Sequence, residues 1–343
     1  MSEPIDIKTK KVIPQPIPKG FDKALLHETL QRNIIMHWNT WGKLQSIWAN
    51  SAYKKFKDFE KYLVLIYLIR DYWQVSADKF EFFSYDEFYD KDKVILDKIN
   101  LIKISSELNI PKETIRRKVN ELQEDGILSR EGKSIILTKT AQQFQRPQAV
   151  LEALSTFLEK KSKFLQGEVW FGAQVTKEEA SIYIKKYFSI IWLRFLKLQI
   201  PFLLRHKKNF GDLETWMIWG NVAIHHQKNL AKEINESLMS DKLLSSVNYV
   251  NYYHRITDVK ISRGVNASSI ADITSIPRAT VIRKLKWLVK QDVLKKNKHL
   301  EYVMKYSGKL NKKIEQTFKD NQLFVAEFLT DFFDYYKNSN FKP

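Results

Sequence analysis

The chain has 343 residues, 57 Lys+Arg against 39 Asp+Glu, and a formal net charge of +18. That length suits about two or three domains, and a hydrophobic content of 44% supports real cores, which excludes a disordered basic tail. The absence of cysteine excludes disulfides, Cys-ligated zinc and thiol nucleophiles, while the basic excess points to nucleic acid or an anionic membrane surface.

In chain order, residues 1–20 read as a flexible Pro-rich arm: Pro14, Pro16 and Pro18 interrupt it, and Lys8, Lys10, Lys11 and Lys19 suit a solvated tail. It lacks the apolar core of a secretory signal. An aromatic-rich helix is expected from Phe21 to about Tyr53, and a second from Asp58 to Trp73. Residues 75–100, with an acidic stretch ending at Asp92, read as an irregular or short-helical connection.

Next, Ile104 and Leu108 give a short helix one apolar face, and Asn109–Pro111 makes a turn. Ile115, Val119 and Leu122 then form the buried stripe of a second helix, which Gly126 ends. Ile127 and Leu128 begin a strand, Arg130–Lys133 turns around Gly132, and Ser134–Leu137 returns. Helix, turn, helix and two-stranded wing make a winged helix-turn-helix over 101–137. A helix follows over 147–165, and Gly167 and Gly172 mark a break.

The plan then recurs. A long helix is expected over 177–205, a second over 212–226, a longer connection, a winged helix over 267–305 and a terminal helix over 309–338. Val281, Leu285 and Leu288 form the stripe, Asp292 replaces the glycine, and Lys295–His299 is the wing turn. The repeat is explicit. Trp38, Lys43, Leu44, Gln45, Phe56, Asp58 and Glu60 recur 154 residues later as Trp192, Lys197, Leu198, Gln199, Phe210, Asp212 and Glu214. Ile104, Ile110, Pro111, Thr114, Arg117, Lys118, Leu122 and Leu128 recur 166 residues later as Ile270, Ile276, Pro277, Thr280, Arg283, Lys284, Leu288 and Leu294. The fold class expected is therefore mainly α: two tandem winged helix-turn-helix units, 21–166 and 173–338, related by a pseudo-twofold internal duplication. No membrane span is expected. The apolar run Tyr62–Ile69 is too short, and Lys185, Lys186, Arg194 and Lys197 interrupt Ile182–Leu204.

The string Pro111–Val119, PKETIRRKV, resembles the recognition-helix signature of the Crp/Fnr regulators. The wider layout, with flanking helices and Leu137–Thr138 after the wing, resembles the MarR-type regulators; the Asp-Arg wing signature common there is absent. The resemblance implies that each recognition helix enters the major groove of double-stranded DNA. The exposed N-terminal residues of the first recognition helix are Lys112, Glu113, Arg116 and Arg117, of which the resemblance makes Lys112, Glu113 and Arg117 the base readers; the matching positions in the second copy are Arg278, Ala279 and Arg283, with Lys284 beside them. Thr114 and Thr280 would hold a phosphate or a thymine methyl. Arg130 and Lys133 on one wing, and Lys295, Lys296 and Lys298 on the other, would follow the backbone.

The copies differ in charge. Residues 112–133 hold six Lys/Arg and five Asp/Glu, whereas 278–313 hold twelve Lys/Arg and two Asp/Glu. The second copy is thus expected to anchor the protein and the first to contribute selectivity. The function expected is a cytoplasmic, nucleoid-associated, sequence-specific transcription regulator, acting as a monomer with a built-in pseudo-dimer whose recognition helices sit about 34 Å apart. The rivals are a plasmid-type replication initiator with tandem winged helices and a protein-interaction or chromosome-organising module. No cofactor, metal or enzyme signature appears. Adjacent His225 and His226 diverge on a helix and do not form a metal pair. Trp38, Trp41, Trp48, Trp192, Trp216 and Trp219 have the spacing of helical core, with an aromatic pocket for an unidentified small-molecule effector as the lesser reading.

Overall fold

The protein is mainly helical. The computed structural model describes residues 22–32, 34–96, 100–132, 134–139, 146–166, 174–236 and 263–339. The arm, Gly167, Gly172, Lys133 and most of the longer connection lie outside the described residues.

The chain begins with α1 (Lys23–Arg32), α2 (Ile34–Phe56), α3 (Phe59–Asp78), α4 (Tyr85–Tyr89) and β1 (Lys93–Leu96). It continues through α5 (Leu101–Leu108), α6 (Lys112–Glu124), β2 (Leu128–Glu131), β3 (Ser134–Thr138) and α7 (Gln148–Leu165). Then come α8 (Lys177–Lys186), α9 (Phe188–Phe210), α10 (Leu213–Glu236), α11 (Ala267–Thr274) and α12 (Arg278–Lys290). The chain closes with β4 (Leu294–Lys296), β5 (Tyr302–Met304) and α13 (Lys309–Asn338).

The element starts follow the two spacings of the sequence. α1, α2 and α3 precede α8, α9 and α10 by 154 residues, and α5 and α6 precede α11 and α12 by 166. Local chemistry repeats with them. Asp58 accepts the Lys61 N–H at 2.9 Å to start α3, and Asp212 accepts the Thr215 N–H at 2.7 Å to start α10. Asn100 caps α5 and Asn266 caps α11. Asn109 (φ 49°) and Ser275 (φ 58°) make the left-handed turns before Pro111 and Pro277. Gly126 (φ 69°) ends α6, and Asp292 holds the same left-handed position (φ 57°) after α12.

Several boundaries differ from the sequence expectation. The first long helix is two helices, α1 and α2. The third is likewise α8 and α9, bent 103° at Tyr187, and Pro201 does not end α9. The second helix expected in each half is longer than its apolar period indicates, reaching Asp78 and Glu236. The connection over 75–100 holds α4, started by a reciprocal Ser84–Glu87 capping box, and β1. β1 makes the first sheet three-stranded, in the order β1-β3-β2, with Leu128 opposite Leu137 and Val94 opposite Leu137 on the other edge. The second sheet pairs β4 with β5, and a single bridge from Val265 to Tyr302 stands where the third strand would be.

The core sits between long helices drawn from both halves. α1 packs on α13 and α8 on α7; α3 packs on α9 and α10 on α2. At the centre, the Gln45 side-chain amide donates to Gln199 Oε1 at 2.9 Å, and Gln199 donates back to Gln45 Oε1 at 2.6 Å. Both side chains are buried (4% and 0% exposed). Trp41 meets Phe202 at 5.5 Å on one side of this pair, and Trp48 meets Phe195 at 5.1 Å on the other. Trp41 and Phe195, and Trp48 and Phe202, are themselves 154 residues apart.

Candidate nucleic-acid interface

α6 and α12 are held to the helical body by the same device. Each carries an apolar stripe, Ile115, Val119 and Leu122 or Val281, Leu285 and Leu288, buried in the core. Each also carries one lysine on that inner side. Lys118 Nζ lies 2.6 Å from Asp58 and 3.0 Å from Glu121. Lys284 Nζ lies 2.6 Å from Asp212 and 3.0 Å from the Thr215 hydroxyl. The aspartates that start α3 and α10 thus also anchor the helices packed on them. Burial pushes both carboxyls upward, but hydrogen bonds from the lysine and the backbone outweigh it and hold them below the ordinary aspartate value.

This corrects one expectation. Lys284 is 8% exposed and paired inward, so it is not available to a phosphate. Asp58 and Asp212 were visible in the sequence only as repeated polar residues; their capping and anchoring roles need the fold.

The remaining candidate side chains sit on the outer face. Lys112, Glu113, Arg116 and Arg117 are exposed at the start of α6, with Thr114 half-buried beside them. The two arginines are occupied within their own helix: Arg116 lies 2.6 Å from Glu113, and Arg117 lies 3.6 Å from Glu121. On α12, Arg278, Arg283, Lys286 and Lys290 are exposed and Thr280 is half-buried. The positions that match Glu113 and Glu121 are Ala279 and Trp287, so the intrahelical partners are gone. Among the described residues, none of Arg283, Lys286, Lys290, Lys295, Lys296 and Lys298 pairs with a carboxylate. Arg278 Nε donates to Ser268 Oγ on α11 at 3.0 Å.

The two hairpins expected to be wings differ in shape. In the first, Glu131 stands opposite Ser134 in the strand register, Gly132 has φ 60°, and Glu131 pairs with Lys93 at 2.9 Å. Arg130 is exposed on β2, and Lys133 lies outside the described residues. In the second, Lys295 and Lys296 are in β4, and the turn runs over 297–301 rather than Lys295–His299. The shift follows from Asn297, whose side chain accepts the N–H groups of His299 and Glu301 at 3.0 and 2.9 Å.

Trp41, Trp48, Trp192, Trp216 and Trp219 are buried core and Trp38 is half-buried. A cavity of about 570 Å³ lies elsewhere, lined in part by Gln74, Arg194, Lys197, Phe328, Asp331 and Tyr335. Within it Arg194 is occupied by Asp331 and Tyr335. Beside the second wing, burial pulls His226 down to about 4, helped by Lys295. No three His, Asp or Glu side chains gather as a metal ion requires among the described residues, and no single helix there is long and apolar enough to cross a membrane. No family model, curated protein or solved structure matches the chain.

Proposed function

We propose that the chain is a sequence-specific DNA-binding transcription regulator made of two winged helix-turn-helix units, 21–166 and 173–338. The observation that carries this reading is the outer face of α12. Arg278, Arg283, Lys286 and Lys290 are exposed there without carboxylate partners, and the face continues into Lys295, Lys296 and Lys298. Concentrated, unneutralised cations on one side of a helix–turn–helix are suited to a phosphate backbone. The exposed first turn of the second helix is suited to base edges in the major groove.

The two units act as one pseudo-dimer. Supporting this are the reciprocal Gln45–Gln199 hydrogen bonds and the packing of each unit's first helix on the other unit's last. A single chain then does what a homodimer does, on an operator whose half-sites differ because the two faces differ. Its place is the cytoplasm, on the nucleoid. Unit two supplies affinity; unit one, with Lys112, Glu113, Arg116 and Arg117, supplies selectivity.

Footprinting on duplexes selected from genomic DNA tests the reading. One site with two unequal protected stretches about one helical turn apart is expected, together with loss of protection at the stronger stretch in Arg283→Ala. Protection of tandem repeats with melting of the adjacent duplex, or no duplex binding at low salt, would overturn it.

A further inference from the structure

The tip of the second wing carries a residue that local physics disfavours twice. Leu300 is the most exposed large hydrophobic side chain among the described residues, at 72%. Its backbone is left-handed, with φ 61°, a region that a leucine rarely occupies. The first wing places Gly132 in that region, at φ 60° and without steric cost. An exposed apolar side chain held in a strained backbone is the kind of local conflict expected at a functional position.

The loop around it is built to keep it there. Asn297 accepts the N–H groups of His299 and Glu301, and its own side-chain amide reaches the Glu301 carboxylate at 3.1 Å. The Leu300 N–H donates to the Asn297 carbonyl at 3.0 Å. Glu301 also accepts the Gly264 N–H at 2.8 Å, and Val265 bridges to Tyr302, so the hairpin base is tied to the body. The tip is therefore a clamped loop with Leu300 projecting from it. Lys295, Lys296 and Lys298 are exposed along the same hairpin.

We propose that Leu300 is an apolar wedge that enters the DNA minor groove beside the second half-site, partly unstacks one base step and bends the duplex. The surrounding lysines would hold the flanking phosphates while the leucine side chain occupies the opened step. Leucine is among the side chains that minor-groove proteins insert in this way, kinking the helix by about 20–90°. The wedge makes the chain sensitive to a step it does not hydrogen-bond: flexible TA and CA/TG steps open at lower cost than A-tracts. Specificity at this flank would therefore be read as deformability.

The inference rests on the duplex-binding reading above, and the experiment separates the two. The full chain is bound to a duplex enriched from a random-sequence pool, carrying a TA step or an A-tract at the flank beside the second wing. Bending is read by end-to-end energy transfer, and unstacking by a fluorescent purine analogue at the step. The native chain should bend the TA duplex, brighten the analogue and prefer the TA flank about tenfold. Leu300→Met should keep all three. Leu300→Gly and Leu300→Asn suit the left-handed backbone, so they should melt at the same temperature as the native chain or higher, yet lose the bend and the flank preference. Native binding without bending, or a bend retained in Leu300→Gly, overturns the wedge and leaves the DNA reading standing. No duplex binding by the native chain overturns both.

Discussion

Gln45 and Gln199 allow a quantitative test of how the two halves are joined. Gln45→Leu removes one partner and leaves the Gln199 carboxamide, 0% exposed, with a donor and an acceptor unpaired. A buried polar group stranded in this way costs about 1–3 kcal/mol, and Gln199→Leu strands Gln45 equally. Replacing both removes the unpaired groups together, and an apolar pair of similar shape can be nearly neutral. Each single variant should therefore lose about 2 kcal/mol, while the double loses less than either. The coupling energy is then about 2–4 kcal/mol, at or above the upper end for residues in contact. Urea unfolding of the full chain, followed by far-ultraviolet circular dichroism, measures all four corners of the cycle. Additive single effects, with a coupling below about 0.5 kcal/mol, would refute the reciprocal pair and the central position given to it.

Lys161 is fully buried beside the rings of Phe157 and Phe164, and burial pulls its ammonium down to about 7. A lysine lowered in the folded state destabilises in full below its folded pKa, and the penalty fades as pH climbs toward the unfolded value. Lys161→Met should gain about 4 kcal/mol near neutral pH and lose that advantage by about pH 10; a gain independent of pH would contradict the burial of the charge. Asp212→Ala leaves Lys284 hydrogen-bonded only to the Thr215 hydroxyl, beside a Glu214 carboxyl that burial pushes up to about 7, whereas Asp58→Ala leaves Lys118 the Glu121 carboxylate. Losing one partner of a buried pair costs about 3–5 kcal/mol, but both aspartates are partly solvated, so about 2 kcal/mol is expected for Asp212→Ala and about 1 kcal/mol for Asp58→Ala. Amide exchange should quicken more in α12 than in α6, and the reverse order would refute the assignment. Both aspartates are held low, so their stabilisation is present above the unfolded aspartate value and is lost as pH falls through the folded one; the melting temperature should fall with acid in the native chain and less steeply in the double alanine variant.

Much of the candidate interface was legible because its signals are short-range. The stripe Ile115, Val119, Leu122 and its repeat Val281, Leu285, Leu288 mark the buried sides of α6 and α12, which leaves the basic residues other than Lys118 and Lys284 outside. Pro111 and Pro277 gave the turns, and Asp292 for Gly126 did not mislead, because aspartate tolerates the left-handed position. Long-range features were not legible. β1 is four residues of ordinary alternation, recognisable only beside β3. The bend at Tyr187 interrupts a continuous apolar period, and periodicity reports faces rather than axis direction. Lys284 lies three residues after Val281 and four before Leu288, so helical spacing already puts it on the buried side; the fold adds its partner, Asp212. The second hairpin's turn lies two residues beyond the lysine-rich Lys295–His299, because the Asn297 side chain sets where the loop lies.

Duplex affinity against salt tests the central claim most directly. The logarithm of affinity should fall linearly with the logarithm of salt, with a slope of about −0.9 per phosphate neutralised. Charge reversal of Lys295, Lys296 and Lys298 should flatten that slope by about 2–3, and reversal of Arg130 on the first wing by about 1 or less. A slope unchanged by the triple reversal, or an equal loss from either wing, would contradict DNA binding anchored by the second unit.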